Sequence, residues 1–578
     1  MATGDHRNDP RGQDTFDQKA LPADVADVES VEIPSTQNQS EEKKQFAGLA
    51  DLDGIKRSWS VQGLVVIWIS ALLMSFATNL NNQTTNSFAP YATSSFASAP
   101  LLGTITVVQA VVSSASSKTL SVYAGAQVFW ACGYIGISLM LQILAGGTSL
   151  GNYQPLDTSD LHNRAILNAI PLTPSLITCW IAGPVATGII DITWRWGFGI
   201  FAIIVPTIAM PLLVCLYLNK RKGFKLRKAE GTYQPLNHMK NFMQLDPIGL
   251  ILFAAGLALI LIPISLASSN THTWKSAHTI VELVVGACCL VALAIWETKF
   301  ARWPILPMTI LKSPMLINYA GLYLLQSYLL YYEMVAADLS VNAATNIYVL
   351  IPFAGSLGQV GAAFVVKYLK SYKWVVVTGY GVIVLGMGLT YRYVNGHGHM
   401  PQLVISQLIL GIGQGIVMTT QFGVQASVTQ EDMAAGTALY TTSVGVGNAI
   451  GAAAAGGTWS TLLPRKLRAN LPSDAVSAAP EIEGSIEIAL SYAWGTPTRD
   501  AINESYTSVF RTMILAGLVL MAIALLCSLL MQNHNIVEVD DSREYKGVVI
   551  GKISAVDSLK EKIHVGQDEK PNPTAGNS

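Results

Sequence analysis

The chain is predicted to be an all-α protein that crosses a membrane many times, and three observations predict it. About thirteen long apolar segments are spread from residue 60 to residue 531. Hydrophobic residues fill 51% of the 578 positions and charged residues only 13%, with a mean hydropathy of +0.39. The runs are also too continuous for the alternating pattern of barrel strands. A hydrocarbon layer about 30 Å thick takes about 20 apolar residues per helix. Within it every backbone amide must be satisfied inside its own segment, which leaves helices as the solution.

In chain order, residues 1–55 are polar, acidic and poor in aromatics, and read as a disordered cytoplasmic tail. No signal peptide precedes the first span, so that span is expected to act as the targeting element. The first bundle, 56–218, holds spans at 60–78, 99–116, 119–147, 165–190 and 196–218. A basic loop, 219–244, follows. Residues 245–462 carry spans at 248–267, 279–296, 315–332, 344–366, 374–391, 403–420 and 434–458. An outer-face loop at 463–507, a last span at 508–531 and a cytoplasmic tail at 532–578 complete the chain. Gly411, Gly413, Gly415, Gly445, Gly447 and Gly451 lie inside spans, where small residues let helices approach closely.

Basic residues in short loops set the orientation. Lys56 and Arg57, the 220–240 loop, the 299–312 loop and the 367–373 loop are all expected on the cytoplasmic face. The second half obeys this with an even number of crossings between basic loops. The first half shows five spans between Arg57 and Lys220, an odd number, so one span is expected to be missing near 118–119 or one segment does not cross.

Several functions are excluded or left without support. The net charge of −1 offers nothing to nucleic acid. All six cysteines fall in apolar spans and read as small core residues rather than disulfides or metal ligands. No His/Cys/Asp/Glu cluster has metal-ligand spacing, no catalytic constellation stands out, and neither cofactor nor enzymatic activity is expected.

Polar residues inside spans are functional candidates by default. Gln127, Trp130 and Tyr134 share a helix face that either lines a cavity or packs a neighbour. Gln407, Gln414 and Gln421 carry the same two readings. Glu282 sits inside an apolar run and is a candidate proton-coupling carboxyl. Asp191, near Arg195, is either an ion-pair partner or a second such carboxyl. Asp246 and Glu297 are expected to anchor span boundaries, and His278 to be a loose surface histidine. Asn82 and Asn503 begin glycosylation sequons expected in outer loops.

Several stretches carry a closer resemblance: APLLGTITVVQAVVSSASSK (99–118), YAGAQVFWACGYIGISLMLQILA (123–145), DTSDLHNRAIL (157–167), WRWGFGIFAII (194–204), TWSTLLPRKLRANLP (458–472) and YAWGTPTRDAINESY (492–506). On these the chain resembles fungal siderophore–iron transporters of the major facilitator superfamily, over nearly all of 52–532. The resemblance implies fourteen spans and proton-driven symport of ferric siderophore chelates of the hydroxamate type by a monomer in the lipid bilayer. The chelate supplies the iron's own oxygens, so aromatic faces and hydrogen-bond donors suffice to hold it. In the family the outer loop is linked to siderophore recognition, which puts Tyr492, Trp494, Arg499 and Tyr506 forward as substrate contacts. The chain departs from the family in three places: a lost loop and helix after Lys118, an insertion at 146–156, and a short span at 315–332. Gly183-Pro184 with Gly188 partially matches the signature of drug:proton antiporters, so an exporter stays open beside a non-transporting sensor or a defective splice variant. Plasma membrane and internal vesicle are equally compatible.

Overall fold

The computed structural model describes residues 61–95, positions within 102–108, 173–229, 246–266, 274–300, 314–369, 371–394, 400–427 and 433–531. All belong to one compact unit, 55–578. The described residues are helical throughout, without a strand. In order the helices are α1 (Val61–Ser94), α2 (Ser175–Ile192), α3 (Trp194–Ala229), α4 (Pro247–Leu266) and α5 (Ala277–Lys299). Then come α6 (Pro314–Tyr331) with a π-helical turn (Tyr332–Ala336), α7 (Val341–Tyr348), α8 (Leu350–Leu369), α9 (Lys373–Tyr393), α10 (Met400–Met418) and α11 (Thr420–Ser427). The last are α12 (Met433–Asn470), two short helices α13 (Ala479–Gly484) and α14 (Ile486–Ser491), and α15 (Pro497–Leu529).

Eight described helical stretches are long and apolar enough to cross a membrane by length and composition. On α5, Ile280, Val281, Val284, Val285, Val291 and Ile295 are all exposed. So broad an apolar surface suits lipid rather than water. The expected span at 119–147, the junction at 118–119, the insertion at 146–156 and most of the span at 99–116 lie outside the described residues. So do both tails.

Three boundaries differ from expectation. First, α1 runs on through NLNNQTTNSFAPYATS to Ser94 instead of ending near Thr78. The polar residues do not break it, because their hydroxyls bond back to the helix's own carbonyls: Thr78 Oγ1 to Met74 O (2.8 Å), Thr84 Oγ1 to Leu80 O (2.9 Å) and Thr93 Oγ1 to Ala89 O (3.0 Å). Second, the span at 315–332 is not short, since the π turn carries it to Ala336. Third, α12 extends to Asn470 and α15 starts at Pro497, so the outer loop shrinks to 471–496. Likewise α3 continues through Lys222 and Lys225 into the expected basic loop. At 1.5 Å per residue, α1, α3, α12 and α15 are each roughly 50 Å or longer, well beyond the hydrocarbon layer.

The basic ends of α3 and α5 and the start of α9 define one end of the bundle. The opposite end gathers the C-terminal ends of α1 and α2, the π turn, α13, α14 and the start of α15. Phe88 of α1 packs with Ile189 of α2, and a Cβ on Gly197 of α3 would strike the Phe88 ring. The stretch between α1 and α2, where the charge parity expects a missing span, lies almost wholly outside the described residues.

Asp246 holds the start of α4. It takes a positive φ of 38°, and its carboxylate accepts from Gly249 N (3.1 Å) and from Trp296 Nε1 of α5 (3.0 Å). This is the boundary anchor expected of it. No disulfide joins the described cysteines, and Cys288 is exposed rather than in the core.

Glycines set the closest helix contacts. A Cβ on Gly415 of α10 would collide with the carbonyl of Gly355 on α8, and one on Gly411 would meet Ile351 O at 2.6 Å. Gly447 and Gly451 of α12 stand in the same relation to Leu316 and Ala320 of α6. In lipid, where no hydrophobic drive joins helices, such backbone contact is the adhesive. We expect Gly415→Val to lower stability by about 1–3 kcal/mol, the usual cost of overpacking, while Gly361→Ala, which meets open space, leaves the melting temperature of the purified protein unchanged.

Candidate functional site

The site grows from the sequence YLLQSYLLYYEMVAADLS at the outer end of α6. Tyr328 and Tyr331, three residues apart, share a helix face. Both meet Trp459 of α12, Tyr328 in a stack with centroids 4.2 Å apart and Tyr331 tilted at 5.8 Å. Tyr506 of α15 meets the same indole edge-on at 5.3 Å, and Tyr332 stacks on Phe510 at 4.9 Å. All six rings are fully buried. Their offset and edge geometries are those that aromatic quadrupoles favour.

Beyond Tyr331 the helix widens into a π turn, closed by Ala337 N donating to Tyr332 O (3.1 Å). π turns gather at functional sites because the extra residue reorients side chains. Here it carries Glu333, which is 0% exposed and has no hydrogen-bond partner at either carboxylate oxygen. Tyr348 of α7 is within electrostatic reach of it.

Arg499, in the first turn of α15, is 1% exposed. Its guanidinium donates to Ala489 O of α14 (2.7 Å), to Val335 O of the π turn (2.8 Å) and to Asp338 Oδ1 (3.4 Å). It also lies 5.6 Å from the Trp494 ring centre. Tyr506 OH donates to Ile482 O of α13 at 3.3 Å. These contacts fasten the outer loop to the ends of α6 and α15.

The same end is tied to the first half of the chain. Thr93 and Tyr331 hydroxyls are 3.0 Å apart, Ser87 and Thr345 hydroxyls 2.9 Å, and Ile486 N donates to Ser94 Oγ at 3.0 Å. The outer ends of α1, α6, α7 and α14 are thus closed upon one another.

The candidates read from sequence separate accordingly. Gln127, Trp130 and Tyr134 lie outside the described residues. Tyr492 is half-buried and Trp494 is 54% exposed on the loop surface, as a ligand contact requires. Arg499 and Tyr506 are not at the surface; their polar atoms are used on backbone carbonyls within the protein. Asp191 and Arg195 are exposed and make no ion pair with each other or with another described residue; Arg195 sits instead over Trp194 at 5.5 Å. Glu282 lies one turn into α5, 23% exposed, with His278 Nδ1 3.3 Å away. α5 packs against α4 and not against the aromatic cluster. So His278 is not loose, and Glu282 is a peripheral carboxyl near the outer surface. Gln414 accepts from Asn318 Nδ2 of α6 (3.1 Å), which is its helix-joining reading. Asn82 and Asn503 sit on α1 and α15, not in loops, and Asn503 is 6% exposed. A backbone already engaged in a helix presents neither as an open sequon. Among the described residues no group of three His, Cys, Asp or Glu is placed to hold a metal ion. Sequence reasoning passed over Glu333 and Trp459. The acid in YYEM at the end of an apolar run was a visible signal, whereas the pairing of Trp459 with Tyr328 and Tyr506 depends on tertiary structure.

Alternating helices, lipid-facing apolar surface and a basic end define a multi-pass integral membrane protein. The chain is 32% identical to MFS siderochrome iron transporter C of Aspergillus fumigatus, covering 85% of this chain and 87% of that one. Against siderophore iron transporter mirC of Emericella nidulans it is 31% identical over 86% and 89%, and against siderophore iron transporter 1 of Schizosaccharomyces pombe 30% over 85% of each. The family model described as fungal trichothecene efflux pump (TRI12) matches residues 172–473. The chain belongs to the siderophore iron transporter family of the major facilitator superfamily, with the TRI12 match covering its middle.

Two expectations test this geometry. Arg499→Ala leaves two buried carbonyls without a donor, and hydrogen bonds to a charged group are each worth about 1.5–3 kcal/mol. The variant is expected to melt earlier and to be cut faster by protease within 471–496. Glu483 of α13 has its carboxyl pushed up to about 7 by burial, partly opposed by Arg468. The neutral form therefore favours the packed loop: its contribution is full below the ordinary carboxylate range and is lost as pH rises through about 7. Protection of the amides in 476–491, taken relative to their intrinsic exchange rates, is expected to fall between pH 5 and pH 8, and Glu483→Gln to remove that fall.

Proposed function

We propose that this protein carries ferric siderophore chelates inward across a fungal membrane by alternating access, driven by a proton gradient. The observation that carries this reading is the match to proteins named siderophore iron transporters along about 85% of both chains. The closed outer end supports it: hydrogen bonds between the two halves of the chain can break and reform as the outer mouth opens. The buried tyrosine and tryptophan cluster beneath the loop is packed on itself while the outer end is closed, and opening that end would bare aromatic faces of the kind a wrapped, weakly charged chelate requires. The iron arrives fully ligated and travels as cargo, so the chain need not coordinate it. Trp494 and Tyr492, on the loop surface, are the first outer contacts.

One observation favours a second reading. The family model over 172–473 bears the name of an efflux pump, and an exporter would use the same bundle in the opposite direction.

Uptake of radiolabelled iron from several ferric siderophores, in fungal cells stripped of their own importers, separates the two. Accumulation of iron from one chelate, abolished by a proton ionophore, is the expected result. Lower accumulation than in empty cells from an abundant protein overturns import in favour of export. Tyr492→Ala is expected to weaken uptake several-fold at unchanged membrane abundance. Tyr506→Ala is expected to lower abundance as well, because it opens a cavity in the aromatic core, at about 3–5 kcal/mol for a large ring.

A further inference from the structure

We propose that Glu333 is the carboxyl that takes up the transported proton, doing so while the outer end is open, so that the outer end closes over a neutral side chain. This rests on the proton-coupled reading above and assigns its proton site to a residue on the π turn instead of Glu282 or Asp191.

Three observations converge on it. Glu333 is wholly removed from solvent, and neither oxygen meets a donor. A carboxylate in such a place would have lost its water without gaining a partner, a cost that an added proton removes. The cation on α15 does not relieve it: Arg499 donates through its two terminal nitrogens to Ala489 O, Val335 O and Asp338, its Nε is left without a partner, and still neither Glu333 oxygen meets a donor. Glu333 is also bracketed in sequence by two of the ties that close the outer end. Two residues before it, Tyr331 meets Thr93 of α1; two residues after it, Val335 accepts from Arg499, which also holds α14. Opening the outer end must release one or both, and either release frees the short turn that hides the carboxyl. Water then reaches Glu333, and the ionised form becomes tolerable. A proton from the outer solution adds to one carboxylate oxygen, the neutral side chain is buried again, and the ties reform. Completing the cycle requires water to reach the turn from the opposite end, once the bundle opens there, and to take the proton.

The elements packed against the turn place other titratable or charged groups around it: Tyr323 on α6, Asp338 just beyond the turn, Tyr348 on α7, Glu487 on α14, and Arg499 and Tyr506 on α15. The tyrosines stay neutral across the physiological range and Arg499 stays charged. Glu487 and Asp338 are exposed. Glu333 is the buried acid of the set.

The test uses the full chain in lipid vesicles. Infrared spectroscopy reads the carbonyl stretch of a protonated carboxylic acid at neutral pH. Read in a Glu483→Gln background, so that the Glu483 carboxyl adds nothing, the signal is expected to persist when Glu282→Gln is added and to be lost when Glu333→Gln is added. In the same vesicles, an inward proton gradient is expected to drive accumulation of radiolabelled iron from a ferric trihydroxamate in the wild type. Glu333→Gln should lose that accumulation yet keep exchange of labelled for unlabelled chelate, which a merely unfolded protein would not do. Glu333→Asp, which retains the acid, should keep both. A signal that survives Glu333→Gln, or gradient-driven accumulation by that variant equal to wild type, overturns the proposal. If the signal follows Glu333 but the wild type moves no chelate, the transport reading fails and the proton site stands.

Discussion

One buried guanidinium joins the parts on which the outer half of this protein depends. Arg499 reaches from the first turn of α15 to the carbonyl of Ala489 in the outer loop and to that of Val335 in the π turn. The π turn leaves backbone carbonyls outside the ordinary α-helical ladder, and buried carbonyls need donors. Arg499 supplies them at the point where α6, α14 and α15 meet. The loop therefore sits on the bundle as a fastened lid rather than a loose connection, and its position is linked to the conformation of the helix beneath it.

In the proposed transport cycle, that linkage would give the outer end a tied and a released arrangement. The ties to the first half run through hydroxyl pairs, Ser87 with Thr345 and Thr93 with Tyr331, and through Ser94 with the backbone of α14. Each is a modest hydrogen bond that water can replace. A set of weak, replaceable contacts around a strongly held centre is what a reversible gate requires. By contrast, the glycine seams of α8 with α10 and of α6 with α12 bring backbone against backbone and join these helices firmly.

Much of this architecture was legible in the sequence because lipid imposes a simple rule. Long apolar runs had to become helices, and described helices do cover the apolar runs expected in the second half. Gly411, Gly415, Gly447 and Gly451 packed as small residues in membrane helices do. Boundaries failed where polar side chains satisfied themselves locally, as Thr78, Thr84 and Thr93 do along α1, and where the π turn lengthened α6. The site was less legible. Tyr492, Trp494, Arg499 and Tyr506 belong to one outer structure, but exposure divides them, and a linear motif does not report exposure. Glu282 drew attention because its neighbours in sequence are apolar, yet its helix faces outward. Glu333 was hidden by the assumption that its span had already ended.

The measurement that bears most directly on this account is the distance between the end of α1 and the outer loop under transport conditions. Spin labels at Ser95→Cys and Ser491→Cys, both exposed positions, would report it in vesicles by pulsed electron resonance. Two distance populations, shifting toward the shorter one as the outer pH falls, are predicted. A single short distance, unmoved by pH or by ferric chelate, would mean that the outer loop is a permanent cap and would contradict the gate.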